Sequence, residues 1–302
     1  MAGSENLSGI LPVNKPQGWT SFDVVAKLRG VLKIKRLGHA GTLDPMATGV
    51  LPVFVGKATK ACDILPDTKK AYIAGFKLGM TTDTLDITGK VLEQKQANVS
   101  REQLEGIKAQ FVGEITQLPP MYSAVKVDGK RLYQLAREGK TVERTPRKCV
   151  VHSIEITAFD EALQQGTLEI SCEKGTYVRT VIDDMGQALG VGAVMTSLVR
   201  TYSGGFDIES CLTIDEIAKL CGQGRLSEAL MPTQKAFELY GCINLDEKLT
   251  ALYKNGVKLH ARQAAASDKS DGGLYRVFGA GGVFLGLARF ENEMLRSFKN
   301  FY

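Results

Sequence analysis

Apolar residues recur along the chain at helical or strand spacing, with turn residues between the segments. Residues 20–35 predict a helix, because an apolar stripe follows Thr20 and Asp23, a pair that forms a capping box. Residues 70–79 alternate and predict a strand with Tyr72 on its apolar face. The remaining predicted elements are helices near 57–65, 100–111, 131–138, 178–189, 213–220 and 246–255, a strand or turn edge at 50–55, and strands at 149–158, 167–173, 275–278, 283–290 and 294–298.

The order of these elements predicts an α+β fold, because strands and helices interleave without regular βαβ units. The predicted elements change in kind near residue 240, where short strand candidates replace longer helices. We therefore expect a first domain of residues 1–240 and a small β-rich domain of residues 241–302. Within the first, residues 122–148 are basic and glycine-punctuated and predict an insertion, and residues 264–273 (AAASDKSDGG) predict a disordered stretch.

Composition is that of an ordinary globular protein. The 302 residues are 44% hydrophobic and 24% charged, which excludes a wholly disordered or fibrous chain. No run approaches the ~18 apolar residues of a membrane span, and the N-terminus shows no secretory signal. Six cysteines without a C-x-x-C pair predict reduced thiols, and three widely separated histidines argue against a metal site. We expect a cytoplasmic protein without a metal.

The positive charge is concentrated in two stretches. Residues 27–60 hold seven basic residues and one acid, and residues 121–150 hold eight basic residues and three acids. A polyanionic partner would explain both, because Lys and Arg displace counterions from phosphates. Solvated helix faces would explain them equally well, so charge alone leaves both interpretations open.

Several familiar enzyme motifs are incomplete. The segment from Gly49 to Thr59 resembles a P-loop, but six residues separate its glycines and Ala58 replaces the hydroxyl that binds magnesium. Gly190-Val-Gly192 lacks the third glycine of a dinucleotide fingerprint, and no G-x-S-x-G elbow is present in the sequence. The sequence therefore lacks the complete motif that is the first requirement for nucleotide hydrolysis, for hydride transfer from a dinucleotide, or for serine hydrolysis.

One loop carries an isolated carboxylate. Asp44 follows the basic helix in a segment punctuated by glycines, and Pro45 holds it near extended geometry. Gly41 and Gly49 allow a ligand to approach the backbone closely. From the residues alone, Asp44 is either a structural turn residue or a carboxylate with a chemical task.

The same loop resembles a known family. GHAGTLDPMATGVLP, residues 38–52, is similar to the catalytic loop of the TruB-type tRNA pseudouridine synthases. Other segments resemble further motifs of that family, in the family's order: NKPQGWTS (14–21), GKATK (56–60), KAY with LGMTTDT (70–72 and 78–84), PPMYSAVK (119–126), KGTYVRT (174–180) and LVR (198–200). Thr42 and Val199 depart from it, standing where Ala and a second Arg are frequent.

The resemblance implies a fold and a function. The expected fold has a central mixed, largely antiparallel sheet flanked by helices, with a PUA-like module at residues 241–302. The expected reaction isomerises uridine to pseudouridine at position 55 in the T-arm loop of tRNA, without a cofactor. The short N-terminus and the insertion are similar to the stand-alone bacterial form, which implies a monomer without a guide RNA.

The resemblance also implies residue roles. Asp44 would be the catalytic aspartate, as a nucleophile or as a base for the 2′ proton, with Arg179 keeping it ionised. Tyr72 would stack on the flipped base, with Tyr177 and Leu198 as further pocket walls, although Tyr72 also fits a plain core position. The other assigned residues are His39 in the space left by flipped nucleotides, Lys15 and Lys60 for phosphate or ion-pair contact, and Lys126, Lys130, Arg131, Arg137, Arg144, Arg147, Lys148 and Arg200 for RNA binding.

Two alternatives remain open at this point. A non-catalytic RNA-binding or RNA-folding module would reuse the scaffold, but it would not need Asp44, Tyr72 and Arg179 together. A synthase with another RNA target would share all three residues.

Overall fold

The computed structural model describes residues 7–264 and 272–302, so most of the predicted disordered stretch lies outside the described residues. The helices, in chain order, are α1 (Ser21–Leu32), α2 (Arg101–Lys108), α3 (Leu132–Arg137), α4 (Val178–Ala188), α5 (Ile214–Gly222), α6 (Leu226–Ala229) and α7 (Glu247–Lys254). The strands are β1 (Gly9–Lys15), β2 (Leu37–His39), β3 (Thr48–Val55), β4 (Lys69–Leu78), β5 (Met80–Thr82), β6 (Val91–Gln94), β7 (Gly113–Gln117), β8 (Lys126–Val127), β9 (Lys130–Arg131), β10 (Arg147–Asp160), β11 (Gln165–Glu173), β12 (Ala193–Ser203), β13 (Phe206–Asp207), β14 (Cys242–Asn244), β15 (Leu259–His260), β16 (Leu274–Gly279), β17 (Val283–Glu291) and β18 (Met294–Asn300).

A nine-stranded sheet forms the centre of the molecule. Its main path is β1-β3-β12-β4-β11-β10-β7, with β2 paired to β3 and β13 paired to β12. β12 runs parallel to β3, and the other neighbouring pairs are antiparallel. The predicted α+β fold with a mixed, largely antiparallel sheet is confirmed.

Local signals at the helix starts agree with the structure. The predicted capping box is present at Thr20, and α2 and α5 begin with the same arrangement at Ser100 and Thr213. Each of these side chains accepts a hydrogen bond from the backbone amide three residues on. The side-chain oxygen of the residue three positions on accepts a hydrogen bond from the backbone N–H of the cap residue. Both bonds satisfy backbone N–H groups that the first turn of a helix otherwise leaves without a partner.

Helices cover the sheet and create two apolar cores. One core lies under α4 and includes Tyr72, Met185 and Leu198. The other lies under α1 and α5 and includes Leu28 and Ile217. The segment that carries Asp44, residues 40–47, connects β2 to β3 and contributes Leu43 to the first core.

The predicted β-rich C-terminal region is confirmed as a five-stranded sheet, β14-β16-β17-β18-β15. Its residues share a core with the first part of the chain, because Phe237 stacks with Phe284 and contacts Phe301. The division at residue 240 stays a prediction. None of the helices in the described ranges combines the length and apolar composition that a membrane span requires.

Candidate active site

The residues before α1 hold the loop that carries Asp44. The Gly18 amide donates to the Pro45 carbonyl at 2.8 Å. The Ser21 hydroxyl accepts from the Leu43 amide at 2.9 Å and donates to the Leu43 carbonyl at 3.3 Å. Because Leu43 and Pro45 are both pinned, the backbone on either side of Asp44 is fixed.

Lys15 is a second anchor of this loop. Its side chain is fully buried, and its ammonium donates to the carbonyls of Pro16, Trp19 and Pro45 at 2.9, 2.6 and 3.2 Å. Burial lowers the pKa of Lys15 to about 8, and the nearby Asp44 carboxylate opposes that shift. Lys15 therefore gives charge support to Asp44, and the alternative prediction that it contacts phosphate is wrong because no donor reaches solvent.

Arg200 holds the other side of the loop. Its guanidinium is fully buried and donates to the Val50 carbonyl at 2.7 Å and to the Gly41 carbonyl at 2.9 Å. Gly49 packs directly on Arg200, since a Cβ at Gly49 would lie 2.2 Å from the Arg200 carbonyl oxygen. The prediction that Arg200 binds RNA is corrected: a side chain with no exposed surface positions the loop from beneath.

Arg179 meets Asp44 from α4. Its Nη2 lies 3.2 and 3.3 Å from the two carboxylate oxygens of Asp44, and it also donates to the Tyr122 carbonyl at 2.6 Å. The guanidinium is buried, whereas the Asp44 side chain keeps 34% of its surface exposed. The predicted ion pair is present, and it leaves the carboxylate open on one side.

A second carboxylate, which the sequence analysis missed, supports this arginine. Asp86 lies 3.8 Å from Arg179 Nη1 and is itself buried. One Asp86 oxygen accepts hydrogen bonds from the hydroxyls of Thr84 and Thr88 at 2.9 and 2.6 Å. Asp86 therefore fixes the far side of the guanidinium. Its place two residues beyond the family-like LGMTTDT segment is the only hint that the chain offers.

The protonation of Asp44 is balanced by these neighbours. Burial raises the pKa of the Asp44 carboxyl, Arg179 opposes that shift, Asp86 adds to it, and Lys15 opposes it. The site therefore holds a carboxylate that is more basic than an ordinary aspartate. Such a group is better suited to attack or to accept a proton than one fully neutralised by its ion pair.

Asp44 opens into a cavity of about 170 Å³. The cavity walls come from the Asp44 loop, β4, β12, the start of the insertion and the segment leading into α4: Thr42, Leu43, Asp44, Lys70, Tyr72, Ser123, Ala124, Gly175, Thr176, Tyr177, Val178, Arg179, Met195 and Leu198. Asp44, Tyr72, Tyr177, Arg179 and Leu198 are thus brought together, as the resemblance implies.

The aromatic walls are held in different ways. Tyr72 is a buried member of β4, and burial raises its pKa to about 12, so its hydroxyl is neutral near pH 7. Tyr177 precedes α4, and the buried Gln117 clamps its backbone by donating to its carbonyl and accepting from its amide. The cavity thus offers two ring walls beside the carboxylate.

Lys60 and His39, like Lys15 and Arg200, do not line the cavity. The Lys60 ammonium donates to the Asn300 carbonyl at 2.7 Å, which ties it to the C-terminal sheet. His39 is half-buried on β2, and burial together with Arg200 lowers its pKa, so its ring is neutral near pH 7. A role for either residue in binding nucleotides stays a prediction.

The basic insertion begins at the cavity edge. Ser123 and Ala124 line the cavity, and the β8–β9 hairpin and α3 follow. Its exposed basic side chains are Lys126, Lys130, Arg131, Arg137, Lys140, Arg147 and Lys148. Several of the predicted RNA-binding residues also have protein partners: half-buried Arg144 donates to the Pro119 carbonyl, Lys148 pairs with Glu114 at 2.7 Å, and Arg131 and Arg137 lie over the Tyr133 ring. RNA contact by this set stays a prediction.

Comparisons with known proteins agree on one family. The family model for "TruB family pseudouridylate synthase (N terminal domain)" matches residues 29–178, and the one for "tRNA pseudouridylate synthase B C-terminal domain" matches residues 179–238. The tRNA pseudouridine synthase B of Clostridium perfringens (strain 13 / Type A) is 41% identical, covering 95% of this chain and 96% of that protein. That of Stutzerimonas stutzeri (strain A1501) is 40% identical, covering 95% and 93%.

Solved structures show the same fold. A Cbf5-Nop10-Gar1 complex contains a chain that superposes with a TM-score of 0.75 at 27% identity, covering 97% of this chain and 85% of that chain. A chain of an H/ACA RNP bound to a substrate RNA gives a TM-score of 0.73 at 24% identity, over 97% and 85%.

Proposed function

The chain belongs to the TruB family of pseudouridylate synthases and isomerises uridine to pseudouridine in tRNA, and we propose that Asp44 carries out this reaction at position 55 of the T-arm loop. The observation that carries the proposal is the pairing of Arg179 with a partly open Asp44 in a cavity with aromatic walls. No sequence feature other than the resemblance points to the position.

The cavity suits one extruded base. A cavity of about 150 Å³ accommodates a benzene ring, so about 170 Å³ is enough for one pyrimidine but not for a stacked pair. A uridine in a folded loop reaches such a cavity only when it is flipped out of its stack. Tyr72 would lie against the flipped base, and Leu198, on the neighbouring strand, would add an apolar wall.

The reaction rearranges bonds without adding or removing atoms. The bond between N1 and C1′ breaks, the uracil rotates, C5 bonds to C1′, and the C5 proton leaves while N1 gains one. Asp44 would act in its ionised form, by attacking C1′ or by taking the 2′ proton. Both routes need a basic carboxylate, which is what burial opposed by Arg179 gives.

Recognition of the tRNA would come mainly from the insertion. Its exposed Lys and Arg side chains follow directly from the cavity wall, so they can contact phosphates of the strand that delivers the uridine. We propose that the protein acts as a cytoplasmic monomer without a guide RNA, because its basic insertion resembles that of the stand-alone bacterial form and its relatives at 40–41% identity are named tRNA pseudouridine synthase B.

The position is tested by mapping the product. An unmodified tRNA transcript is incubated with the protein, treated with a carbodiimide that marks pseudouridine, and read by primer extension. We expect one stop, at position 55, and none in a transcript with cytidine there. A stop elsewhere would assign another target, and no stop with intact RNA binding would favour the non-catalytic module.

A further inference from the structure

Lys70 is a cavity residue to which the proposed reaction gives no task. It lies on β4 two residues before Tyr72, so the two side chains share one face of the strand. Both line the cavity with Asp44. The Lys70 ammonium nitrogen lies 3.4 Å from the position that a Cβ on Gly41 would take, which places it beside the Asp44 loop.

The other cations around the cavity already have protein acceptors. Arg179 pairs with Asp44, and the buried Lys15 and Arg200 donate to backbone carbonyls. Within residues 7–264 and 272–302, the Lys70 side chain makes no ion pair and no hydrogen bond. Lys70 is therefore the cation of the cavity wall whose donors are all available to a ligand.

An ammonium without an acceptor is costly away from bulk water. Burial and the neighbouring Arg200 lower the pKa of Lys70 to about 8. An anionic ligand would remove this cost. RNA brings one phosphate with every nucleotide, and lysine binds phosphate as a compact point charge.

We propose that Lys70 binds a phosphate of the flipped nucleotide as its base enters the cavity. Lys70 is then a substrate-binding residue that holds the target nucleotide against the Asp44 loop. The inference rests on the proposed function, because it needs an RNA nucleotide in this cavity.

Binding is measured with an unmodified tRNA transcript and variants that carry Asp44→Asn, so that no turnover occurs during the titration. In that background, Lys70→Gln should weaken binding about tenfold and reduce the slope of log affinity against log salt by about 0.7–0.9, the value for one lost phosphate contact. The matched control is Lys69→Gln, the exposed neighbour on the opposite face of β4, which should change neither quantity as much.

The pH dependence gives an independent readout. Lys70 is charged below its pKa of about 8, so RNA binding should weaken as the pH rises from about 7 to 9. Lys70→Arg stays charged and should bind with little change over that range. Burial raises the pKa values of the neighbouring Cys172 and Tyr72 to about 11 and 12, so neither titrates with Lys70. Arg200 and Lys174 also face Lys70, and both lower its pKa. Lys15 also titrates near pH 8, but every variant shares it.

The outcomes separate this inference from the proposed function. Loss of affinity and of salt slope in Lys70→Gln, rescued by Lys70→Arg, would support it. Unchanged affinity and slope would overturn it. So would unchanged binding together with a slower single-turnover rate when Lys70→Gln is made alone, with Asp44 intact, because Lys70 would then act on the uracil and not on the phosphate. Pseudouridine formation by the wild-type protein tests the proposed function separately, because it does not depend on any Lys70 variant.

Discussion

Arg179 and Asp86 have opposite effects on the charge of Asp44. Arg179, at 3.2 Å, favours the ionised form, and Asp86 on the far side of Arg179 disfavours it. Because Asp86 also anchors the guanidinium, it influences both the position of the ion pair and the basicity of Asp44. The effect of Asp86 on the basicity of Asp44 can be separated from its effect on the position of the ion pair by measuring the reaction rate as a function of pH.

Asp86→Asn should lower the pKa of Asp44, since one source of its upward shift is removed. The acid limb of the single-turnover rate, measured from about pH 4 to 8, should therefore move to lower pH. The plateau should fall about tenfold, because Arg179 loses one charged anchor. Asp83→Asn, an exposed neighbour in the same turn, is the control. An acid limb that moves to higher pH would contradict this account of Asp44.

Single residues show where sequence reasoning reached its limit. Asp44, Tyr72 and Arg179 were found because each lies in a recognisable motif. Arg200 was assigned to RNA binding because its motif resembles one of the family, but its side chain is fully buried. Its burial depends on carbonyls 150 residues away in the chain, which local patterns cannot show.

At the scale of elements, the Asp44 loop depends on close backbone packing between β3 and β12. Gly49 has a φ of +99°, and a Cβ there would meet Arg200 backbone atoms at 2.2 to 2.9 Å. Gly30, in α1, has nothing within 4 Å of its Cβ position. Replacing each of the two glycines with alanine should therefore change the free energy of unfolding in opposite directions.

Gly49→Ala should lower the free energy of unfolding by about 2–4 kcal/mol, because neither the strained φ nor the neighbouring backbone can relax cheaply. Gly30→Ala should raise it by about 0.5–1 kcal/mol through helix propensity. Urea unfolding measures both. Equal stability of Gly49→Ala and the wild type would mean that the two strands are not packed so closely.

A separate prediction about RNA affinity concerns the basic insertion, residues 122–148. Lys130 and Arg131 are exposed at the β8–β9 hairpin, so replacing both with Gln should reduce the salt slope of tRNA binding by about 1.4–1.8. The single-turnover rate at saturating protein should stay unchanged. Arg225→Gln, an exposed arginine paired with Glu228 outside the insertion, is the control. A salt slope unchanged by the double substitution would remove the hairpin from the RNA interface.

Elements were predictable where one face is polar. The capping boxes and amphipathic stripes of α1, α2 and α5 marked their starts. β1 and β12 were not predicted as strands: β1 is buried almost throughout, and two bulges interrupt the alternation of β12. Such strands show little periodicity of their own.

At the scale of the whole molecule, the two large sheets share an apolar contact. Phe237 is fully buried and lies between the first part of the chain and Phe284 and Phe301 of the C-terminal region. The β-rich character of that region followed from sequence, but this contact did not, because it joins residues that are distant along the chain. A boundary near residue 240 would therefore pass beside a shared core.

Phe237→Ala should lower the free energy of unfolding by about 3–5 kcal/mol, the cost of a large cavity in a core. Leu239→Ala, with 74% of the leucine exposed, should change it by less than about 0.5 kcal/mol. Thermal unfolding followed by circular dichroism measures both. Equal effects of the two substitutions would mean that the C-terminal region folds without this contact.

The central claim is that Asp44 performs the isomerisation. The most direct measurement is release of tritium from C5-labelled uridine in an unmodified tRNA transcript, by the wild-type protein and by Asp44→Asn, with RNA binding measured for both. We expect release by the wild type and none by the variant, while both bind the transcript. Equal release by the two proteins would contradict it, because the carboxylate held by Arg179 would then have no part in the reaction.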